Sequence, residues 1–196
     1  MKSPRLIVIG GANGAGKTTL THRLAKRFGE HFGLLLDTDA LARAFAPDDP
    51  RRAAIQAARA SLVTLSRVLV SRERVVVETT LSDHRRHLEL IQRAKSQGYK
   101  AWLYYVGLEN AAPHLARVQQ RVALGGHDVP VADVLRRFTR SRANLLETMR
   151  AVDRTMMYDN SGRTLRLNAS MERGTLRRSS SDTGWWTPIL QQLETV

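Results

Sequence analysis

The amino-acid sequence predicts an α/β fold of three layers, in which a mostly parallel sheet lies between helices and carries a small helical lid. Two observations predict this fold. Short apolar runs alternate along the chain with longer amphipathic segments, as in parallel strands connected by helices. In addition, a glycine-rich segment and several acidic residues directly follow apolar runs, and such a sheet brings these strand ends to one edge. The length of 196 residues fits a single domain over 1–196.

The first half of the chain contains three predicted strands. Leu6–Ile9 is a continuous apolar run, which is typical of a strand that is buried on both faces. The segment Asp48-Asp49-Pro50 predicts a helix start, because acidic residues cap helices and proline is favoured at the first helical position. The predicted elements are a strand over 6–9, a helix with Leu20, Leu24 and Phe28 on one face, a strand over 34–36, a helix from 50 to about 71, and a strand over 74–77.

The second half continues this alternation and ends in a less regular segment. We expect the arginine-rich helices at about 110–150 to form the lid, and residues 170–196 to be peripheral. We expect Trp185 and Trp186 to pack against the core or a sheet edge rather than to stack on bases. The predicted elements are a helix over 82–97, a strand over 101–106, a helix from 110 to about 124, a long helix over 131–152, short strands over 156–158 and 164–167, a mobile loop over 173–184, and a short final helix from 185.

The composition excludes some classes of protein and leaves two kinds of ligand open. The chain has no cysteine, which excludes disulfides and thiolate metal sites. No apolar run approaches the length of a membrane span, so we expect a cytoplasmic protein with no membrane partner. The net charge of +13 indicates either a nucleic-acid ligand or phosphorylated small substrates. Arginine outnumbers lysine and suits bidentate phosphate recognition, and we favour the small substrate.

The glycine-rich segment carries the strongest motif. Residues 11–18 match the pattern G-x-x-x-x-G-K-[ST], between an apolar strand and an amphipathic helix, and predict a P-loop nucleoside-kinase-like fold. The glycines let the backbone curl around phosphate, and the N-terminus of the next helix attracts the same anion. We expect Lys17 to reach the β- and γ-phosphates of ATP and Thr18 to bind Mg²⁺. The predicted nucleotide-binding residues are Gly11, Ala12, Asn13, Gly14, Ala15, Gly16, Lys17, Thr18 and Thr19.

Carboxylates follow the second and third predicted strands. Asp37 and Asp39 end the second strand, where a carboxylate can take a proton from a substrate hydroxyl or help to hold Mg²⁺. We expect one of the two to cap the next helix, and Asp39 to act on the substrate. Glu78 ends the third strand, at a place where an Asp is usual. Glu78 orients either the substrate or metal-bound water, and Thr79 and Thr80 bond to the substrate; alternatively, the three residues cap the following helix.

Arginines are concentrated between residues 115 and 154. Eight occur there, at 117, 121, 136, 137, 140, 142, 150 and 154, against four acidic residues. Arginines of a lid can stabilise the charge that develops on a transferring phosphoryl group, and Arg121, which precedes Gly125-Gly126-His127, is placed for this role. His127 is either a substrate contact or a turn-stabilising residue. Most of the other arginines fit a solvated helix face.

Several of these segments together resemble the zeta-toxin family. The resemblance covers about residues 5–168, and its most specific parts are GGHDVP, which is more typical of the chromosomal members, and YDNS. The segments are GANGAGKTT (11–19), Asp37-Thr38-Asp39, Glu78-Thr79-Thr80, Arg121 with GGHDVP (125–130), RRF (136–138) and YDNS (158–161).

The resemblance implies a small kinase that uses ATP and Mg²⁺. Characterised zeta toxins are similar to nucleotide kinases in fold and phosphorylate the 3′-hydroxyl of UDP-N-acetylglucosamine. The resemblance implies that Asp39 is the catalytic base and that Glu78 and Thr80 lie in the substrate pocket. It also implies an antitoxin protein as a partner.

The resemblance also implies which cations act on the transferring phosphoryl group. Lys17 and Arg121 match the family at these positions. A second lid arginine has two candidates, Arg136 and Arg137, and we expect Arg137 to contact the substrate.

Two other functions remain open at the level of the sequence. One is a kinase of a different acceptor, such as a nucleoside or a nucleic-acid end, which the positive charge favours. The other is an ATP-binding regulator or interaction protein without catalysis, which the unusual residue after the third strand favours.

Overall fold

The computed structural model describes residues 4–49, 52–123 and 129–194, without the side chains of Asp39, Arg121 and Glu194. Within these ranges the strands are β1 (Arg5–Gly10), β2 (Leu34–Asp37), β3 (Val75–Thr79), β4 (Lys100–Gly107), β5 (Arg154–Asp159), β6 (Arg166–Glu172) and β7 (Thr175–Ser179). The helices are α1 (Lys17–Phe28), α2 (Thr38–Phe45), α3 (Ala54–Ser71), α4 (His84–Ser96), α5 (Ala112–Ala123), α6 (Val131–Ala143), α7 (Leu145–Ala151) and α8 (Thr187–Glu194), with a 3₁₀ turn at Gly29–His31.

One sheet contains these seven strands, in the order β2-β3-β1-β4-β5-β6-β7. The strands from β2 to β5 in this order are parallel, and β6 and β7 are antiparallel to their neighbours. Near the carboxyl end of β1, Ile9 lies opposite Glu78 of β3, and Asp37 of β2 lies opposite Glu78 from the other side. The carboxyl ends of β1, β2 and β3 therefore meet at one edge, where α/β sheets bind their ligands.

Apolar side chains fill both faces of the sheet, and this confirms the predicted three-layer α/β fold. On one face Leu24 of α1 packs in a cluster with Ile7 of β1. On the other face the cluster includes Leu69 of α3, Ile91 of α4 and Leu145 of α7. Because successive residues of β1 point to opposite faces, its continuous apolar run is buried on both, as the sequence predicts.

The helices present one apolar face to the sheet and a more polar face to solvent. Helix α3 buries Ala57, Leu65 and Leu69 but also exposes Ile55 and Val70. In the part of the chain that the structure describes, no helix combines the length and the apolar character that a bilayer crossing requires.

The helical predictions need three corrections. The single helix predicted over 131–152 is two helices, which are separated at Asn144, whose side-chain amide donates a 2.9 Å hydrogen bond to the carbonyl of Leu81. Helix α2 was not predicted; it follows β2 directly. The helix predicted from Pro50 begins at Ala54, after a turn in which Asp49 accepts from the backbone N–H of Arg52, and residues 50–51 lie outside the described ranges.

The C-terminal prediction needs a further correction. The segment 173–184 is not a mobile loop throughout, because Thr175–Ser179 is strand β7 at the sheet edge, joined to β6 by a turn in which Arg173 and Gly174 have positive φ. Strand β6 is also longer than predicted. Trp185 and Trp186 are buried in the core, with ring centroids 5.8 Å apart, so their predicted packing role is confirmed.

Candidate active site

The glycine-rich segment forms the turn from β1 into α1. Gly14 and Gly16 have φ values of +75° and +103°, which favour glycine. A Cβ atom on Gly14 would lie 2.6 Å from the carbonyl oxygen of His114, and one on Gly16 would lie 2.4 Å from the side-chain nitrogen of Asn160. The motif leaves position 14 free, but the close approach of α5 makes glycine necessary there in this chain.

Hydrogen bonds hold three carbonyl groups of this loop, and two of these bonds come from side chains of other elements. The carbonyl of Ala12 accepts from the Ala15 N–H and from Lys17 Nζ, both at 3.2 Å. The carbonyl of Asn13 accepts from His114 Nδ1 at 2.6 Å, and that of Ala15 accepts from Asn160 Nδ2 at 2.8 Å. When carbonyls are held in this way, the N–H groups of a loop can converge on an anion.

A cavity of about 260 Å³ lies beside this loop, and we call it the loop cavity. Lys17 and Thr18 line it from the start of α1, where the helix N-terminus favours negative charge. Arg117 of α5 lines it as well, and donates a 2.8 Å hydrogen bond to the carbonyl of Asn160. Its size, glycine loop and cations suit the phosphate groups of a nucleotide.

Glu78 is bonded to two threonines of α1. Its carboxylate oxygens accept from the hydroxyls of Thr18 at 2.9 Å and Thr21 at 2.8 Å. The Thr21 hydroxyl also lies 3.0 Å from the carbonyl of Lys17 and shares its one hydrogen between the two acceptors. Because β3 pairs with β1, the end of β3 carries this carboxylate directly to the threonine that ends the motif. Glu78 and Thr18 thus present oxygen atoms beside each other in the lining of the loop cavity.

A second cavity of about 430 Å³ lies between α3, α4 and the end of β3, and we call it the α3–α4 cavity. Its wall combines apolar side chains, such as Leu65 and Leu90, with Arg86 and Arg93 of α4 and Arg137 of α6. Its acidic lining residues are Glu78, Asp83 and Glu89. Apolar walls with a few polar groups are typical of sites for small molecules.

The two cavities share one wall, formed by Glu78, Thr79 and Thr80. The Thr79 hydroxyl donates to Nε2 of His87 at 2.5 Å and accepts from the Leu81 N–H at 3.2 Å, while Nδ1 of His87 donates to the carbonyl of Asp83. Burial lowers the pKa of His87, which keeps the ring neutral and fixes this arrangement. The Thr80 hydroxyl is paired with Ser82.

The two aspartates after β2 differ in what the structure describes of them. Asp37 accepts from the Ala40 N–H at 3.0 Å and lies 3.9 Å from Arg43, so it caps α2, as expected of one of the pair. Asp39 belongs to the first turn of α2, at the same edge of the sheet as Glu78. Its side chain lies outside the described residues, and its role stays a prediction.

The candidate arginines Arg136 and Arg137 differ in their contacts. Arg137 lines the α3–α4 cavity and donates to Asn13 Oδ1 at 3.1 Å, whereas Arg136 pairs with Asp133 on the surface of α6 at 2.9 Å. Of the two candidates for a second lid arginine, Arg137 lines one of the two cavities described above, and Arg136 lines neither. The side chain of Arg121 and the whole of His127 lie outside the described residues.

Several residues at the site were not singled out by the sequence. They belong to helices, or to the end of β5, and reach the site through the fold, so their local sequence carries no motif. Only Asn160 lies in a segment, YDNS, that the family resemblance marks. These residues are Arg86, His87, Arg93, His114, Arg117 and Asn160.

The residues of the loop cavity fit Mg²⁺ bound together with a nucleotide. Thr18 and Glu78 present oxygen atoms, which Mg²⁺ prefers. Among the described residues no group of three or more His, Cys, Asp or Glu could hold a metal ion. Magnesium in phosphotransferases typically binds one or two protein oxygens and completes its shell with phosphate oxygens and water, and this donor set suits that mode.

Comparison with known sequences identifies relatives over most of the chain. The family model described as Zeta toxin matches residues 1–171. An uncharacterized protein of Haemophilus influenzae is 32% identical over 121 residues, which are 60% of this chain and 80% of that protein.

Comparison with solved structures identifies similar folds. The PezAT chromosomal toxin-antitoxin system of Streptococcus pneumoniae matches 100% of this chain and 86% of its own, at 17% identity and a TM-score of 0.66. The AvrRxo1-ORF1:AvrRxo1-ORF2 complex with sulphate ions matches 96% of this chain at 16% identity and a TM-score of 0.76, and this chain spans 64% of its length. The same complex with ATP has a TM-score of 0.73 at 17% identity and matches 97% of this chain and 63% of its own.

Proposed function

Because this chain belongs to the zeta-toxin family, we propose that it transfers the γ-phosphate of ATP to a hydroxyl of a small acceptor, a nucleotide sugar such as UDP-N-acetylglucosamine. The observation that carries the proposal is the wall of Glu78, Thr79 and Thr80, which lines both cavities. A nucleotide in the loop cavity and an acceptor in the α3–α4 cavity meet at this wall, and phosphoryl transfer requires two ligands held in contact.

ATP is assigned to the loop cavity. The helix N-terminus and the loop N–H groups bind its β- and γ-phosphates, and Lys17 adds a positive charge beside them. Thr18 and Glu78 hold Mg²⁺, which offsets the charge of the phosphates when it is bound. The AvrRxo1 complex of the same fold was solved with ATP, which supports this assignment.

The acceptor is assigned to the α3–α4 cavity, and its nature rests on the family resemblance. Arg86, Arg93 and Arg137 suit an acceptor that carries anionic groups, as a nucleotide sugar does. Glu78 and Thr80 stand at the junction and position the reacting hydroxyl.

The transfer step needs a base and positive charge. Asp39 takes the proton of the acceptor hydroxyl as the hydroxyl oxygen bonds to the γ-phosphorus and the bond from that phosphorus to ADP breaks. Lys17, Arg121 and Arg137 stabilise the charge on the transferring group. Arg121 follows Arg117 by one helical turn on α5, and Arg117 lines the loop cavity, so the spacing supports this role.

A protein antitoxin is the partner that the family suggests. The relative of Streptococcus pneumoniae is part of a toxin-antitoxin system, and the net charge of +13 suits an acidic partner. The antitoxin that we propose as a partner is a separate protein chain.

The test is ADP release from ATP and Mg²⁺ with a panel of acceptors that includes UDP-N-acetylglucosamine, nucleosides and oligonucleotides. We expect a nucleotide sugar to stimulate release, and Lys17→Ala and Asp39→Asn to reduce the stimulated rate by about 100-fold or more. Lys26→Ala, an exposed lysine of the same helix α1, is the matched control and keeps the rate.

The panel distinguishes the alternatives. Stimulation by an oligonucleotide end alone would replace the acceptor and keep the mechanism. Tight ATP binding without stimulation by any acceptor would contradict phosphotransfer and favour an ATP-binding regulator.

A further inference from the structure

Asn13, a residue that the motif leaves free, is held from two sides. It is buried, its carbonyl accepts from His114 Nδ1 at 2.6 Å, and its side-chain oxygen accepts from Arg137 Nη1 at 3.1 Å. Both partners stand on helices more than 100 residues further along the chain. The loop is therefore fixed by the fold and not only by its own glycines.

His114 is the more deeply buried of these partners, with 1% of its surface exposed. It lies in the first turn of α5, its ring meets Phe138 of α6 edge-on at 5.0 Å, and its own carbonyl is the atom that excludes a side chain at Gly14. Because a carbonyl oxygen only accepts, Nδ1 must carry the hydrogen. Nε2 is buried and has no partner among the described atoms.

The surroundings keep this ring neutral. Burial, together with the nearby cations Lys17, Arg117 and Arg142, lowers the pKa of His114 to about 4, although the bond to Asn13 raises it. A second proton would place an unpaired N–H in the protein interior among these cations. The imidazole therefore serves as a fixed single donor at neutral pH.

We propose that His114 is a positioning residue of the nucleotide site, which acts through the carbonyl of Asn13. Turning this carbonyl towards α5 sets the peptide plane between Asn13 and Gly14, and with it the direction of the Gly14 N–H. Arg137 holds the side-chain oxygen of the same residue, so both the carbonyl and the side chain of Asn13, which lines the loop cavity, are bonded to other elements. The inference rests on the proposed function in one respect, namely that a nucleotide binds in this cavity.

The test separates the hydrogen bond from the packing of the ring. His114→Phe keeps an aromatic ring against Phe138 but has no donor, whereas His114→Asn has an amide nitrogen at the place of Nδ1. We measure the dissociation constant of Mg-ATP by calorimetry without acceptor. We expect about ten-fold weaker binding for His114→Phe, the effect of one hydrogen bond, and binding within about two-fold of the wild type for His114→Asn.

Steady-state kinetics gives a second readout. A positioning role in nucleotide binding raises the KM for ATP in His114→Phe and leaves kcat at saturating ATP nearly unchanged. Phe138→Leu is the packing control: it disturbs the same contact but keeps the donor, so it should lower the melting temperature without weakening ATP binding. If His114→Phe does not fold, His114→Leu replaces it.

Two results would overturn the inference: wild-type affinity in the folded His114→Phe protein, or equal weakening in the Phe and Asn variants. Lys17→Ala, measured alongside, separates these results from a failure of the proposed function. If the wild-type protein itself does not bind Mg-ATP, the proposed function fails as well. If the wild type binds and Lys17→Ala does not, an unaffected His114→Phe protein refutes the inference alone.

Discussion

The loop cavity and the α3–α4 cavity are built in different ways, although they share a wall. Around the loop cavity, Asn13 and His114 are buried, and the carbonyls of Asn13 and Ala15 are bonded to side chains of distant elements. Around the α3–α4 cavity, Leu62 is 46% exposed and Arg86 stands on the exposed side of α4. One site has a backbone that distant side chains hold in place, whereas the lining of the other includes two exposed arginines of α4, Arg86 and Arg93.

This difference indicates that the fold determines the binding of the nucleotide more closely than the binding of the acceptor. A backbone loop that is held on its outer side binds the phosphate groups that all nucleotides share, with little reorganisation. Exposed arginines on a helix can be exchanged without disturbing the core, so the acceptor can differ between relatives of the same fold. We therefore expect loop-side substitutions to weaken ATP binding, and substitutions in the α3–α4 cavity to change acceptor affinity.

The largest effect is expected from Gly14→Ala. The new Cβ would lie 2.6 Å from the carbonyl oxygen of His114, at a residue with φ of +75°. Strain of about 2–3 kcal/mol in the loop should weaken Mg-ATP binding on the order of 100-fold, measured by calorimetry.

Gly174→Ala is the matched control for this change. Gly174 has nearly the same φ, +78°, but nothing lies within 4 Å of the position of its Cβ, and it sits in the β6–β7 turn. This variant should lose about 1 kcal/mol of stability and keep its affinity for ATP. If Gly14→Ala bound ATP as tightly as Gly174→Ala does, the loop would not be as constrained as the comparison of the two cavities requires.

An intermediate effect is expected from Arg86→Gln. Arg86 lines the α3–α4 cavity, so the loss of its charge should raise the KM for an anionic acceptor about ten-fold and leave the KM for ATP unchanged. Arg85→Gln is the control, since Arg85 pairs with Glu89 on the same helix and its side chain is 89% exposed. Equal effects of the two variants, or an effect of Arg86→Gln on ATP, would show that the cavities are not separate in function.

The phosphate loop is easier to predict from the sequence than the residues that surround it, and the reason is physical. A phosphate loop is a local structure, so residues 11–18 and the apolar run before them are enough to identify it. The carboxylates at strand ends are nearly as local, because parallel strands bring Asp37 and Glu78 to one edge. His114, Arg117 and Asn160 reach the loop only through the tertiary fold, and no spacing in the sequence indicates this.

The wrong element predictions have a related cause. Strand β7, with the sequence TLRRS, is mostly exposed at the sheet edge and lacks the apolar alternation that marks a strand. The break between α6 and α7 falls at Asn144, whose side chain bonds to Leu81, 63 residues away in the sequence. In both cases a partner elsewhere in the chain, rather than the local pattern, decides the structure.

The smallest effect is expected on the stability of the protein in weak acid. It depends on His114, which lies on the side of the loop cavity. Its pKa is about 4 in the folded protein against 6.5 as the ordinary value, so the unfolded chain takes up the proton first as the pH falls. Stability is therefore lost as the pH drops below 6.5, down to about 4. Between about pH 7 and pH 5.5 this group alone costs about 1 kcal/mol, and urea unfolding at both pH values should show the loss. His114→Asn should remove this loss of stability.

The comparison variant is His87→Asn. His87 lies beside the α3–α4 cavity and also has a lowered pKa, but it lacks the cluster of Lys17, Arg117 and Arg142. If only His87→Asn reduced the acid sensitivity, His87, and not His114, would be the histidine that the fold keeps neutral in weak acid. The contrast between the two cavities would then be reversed.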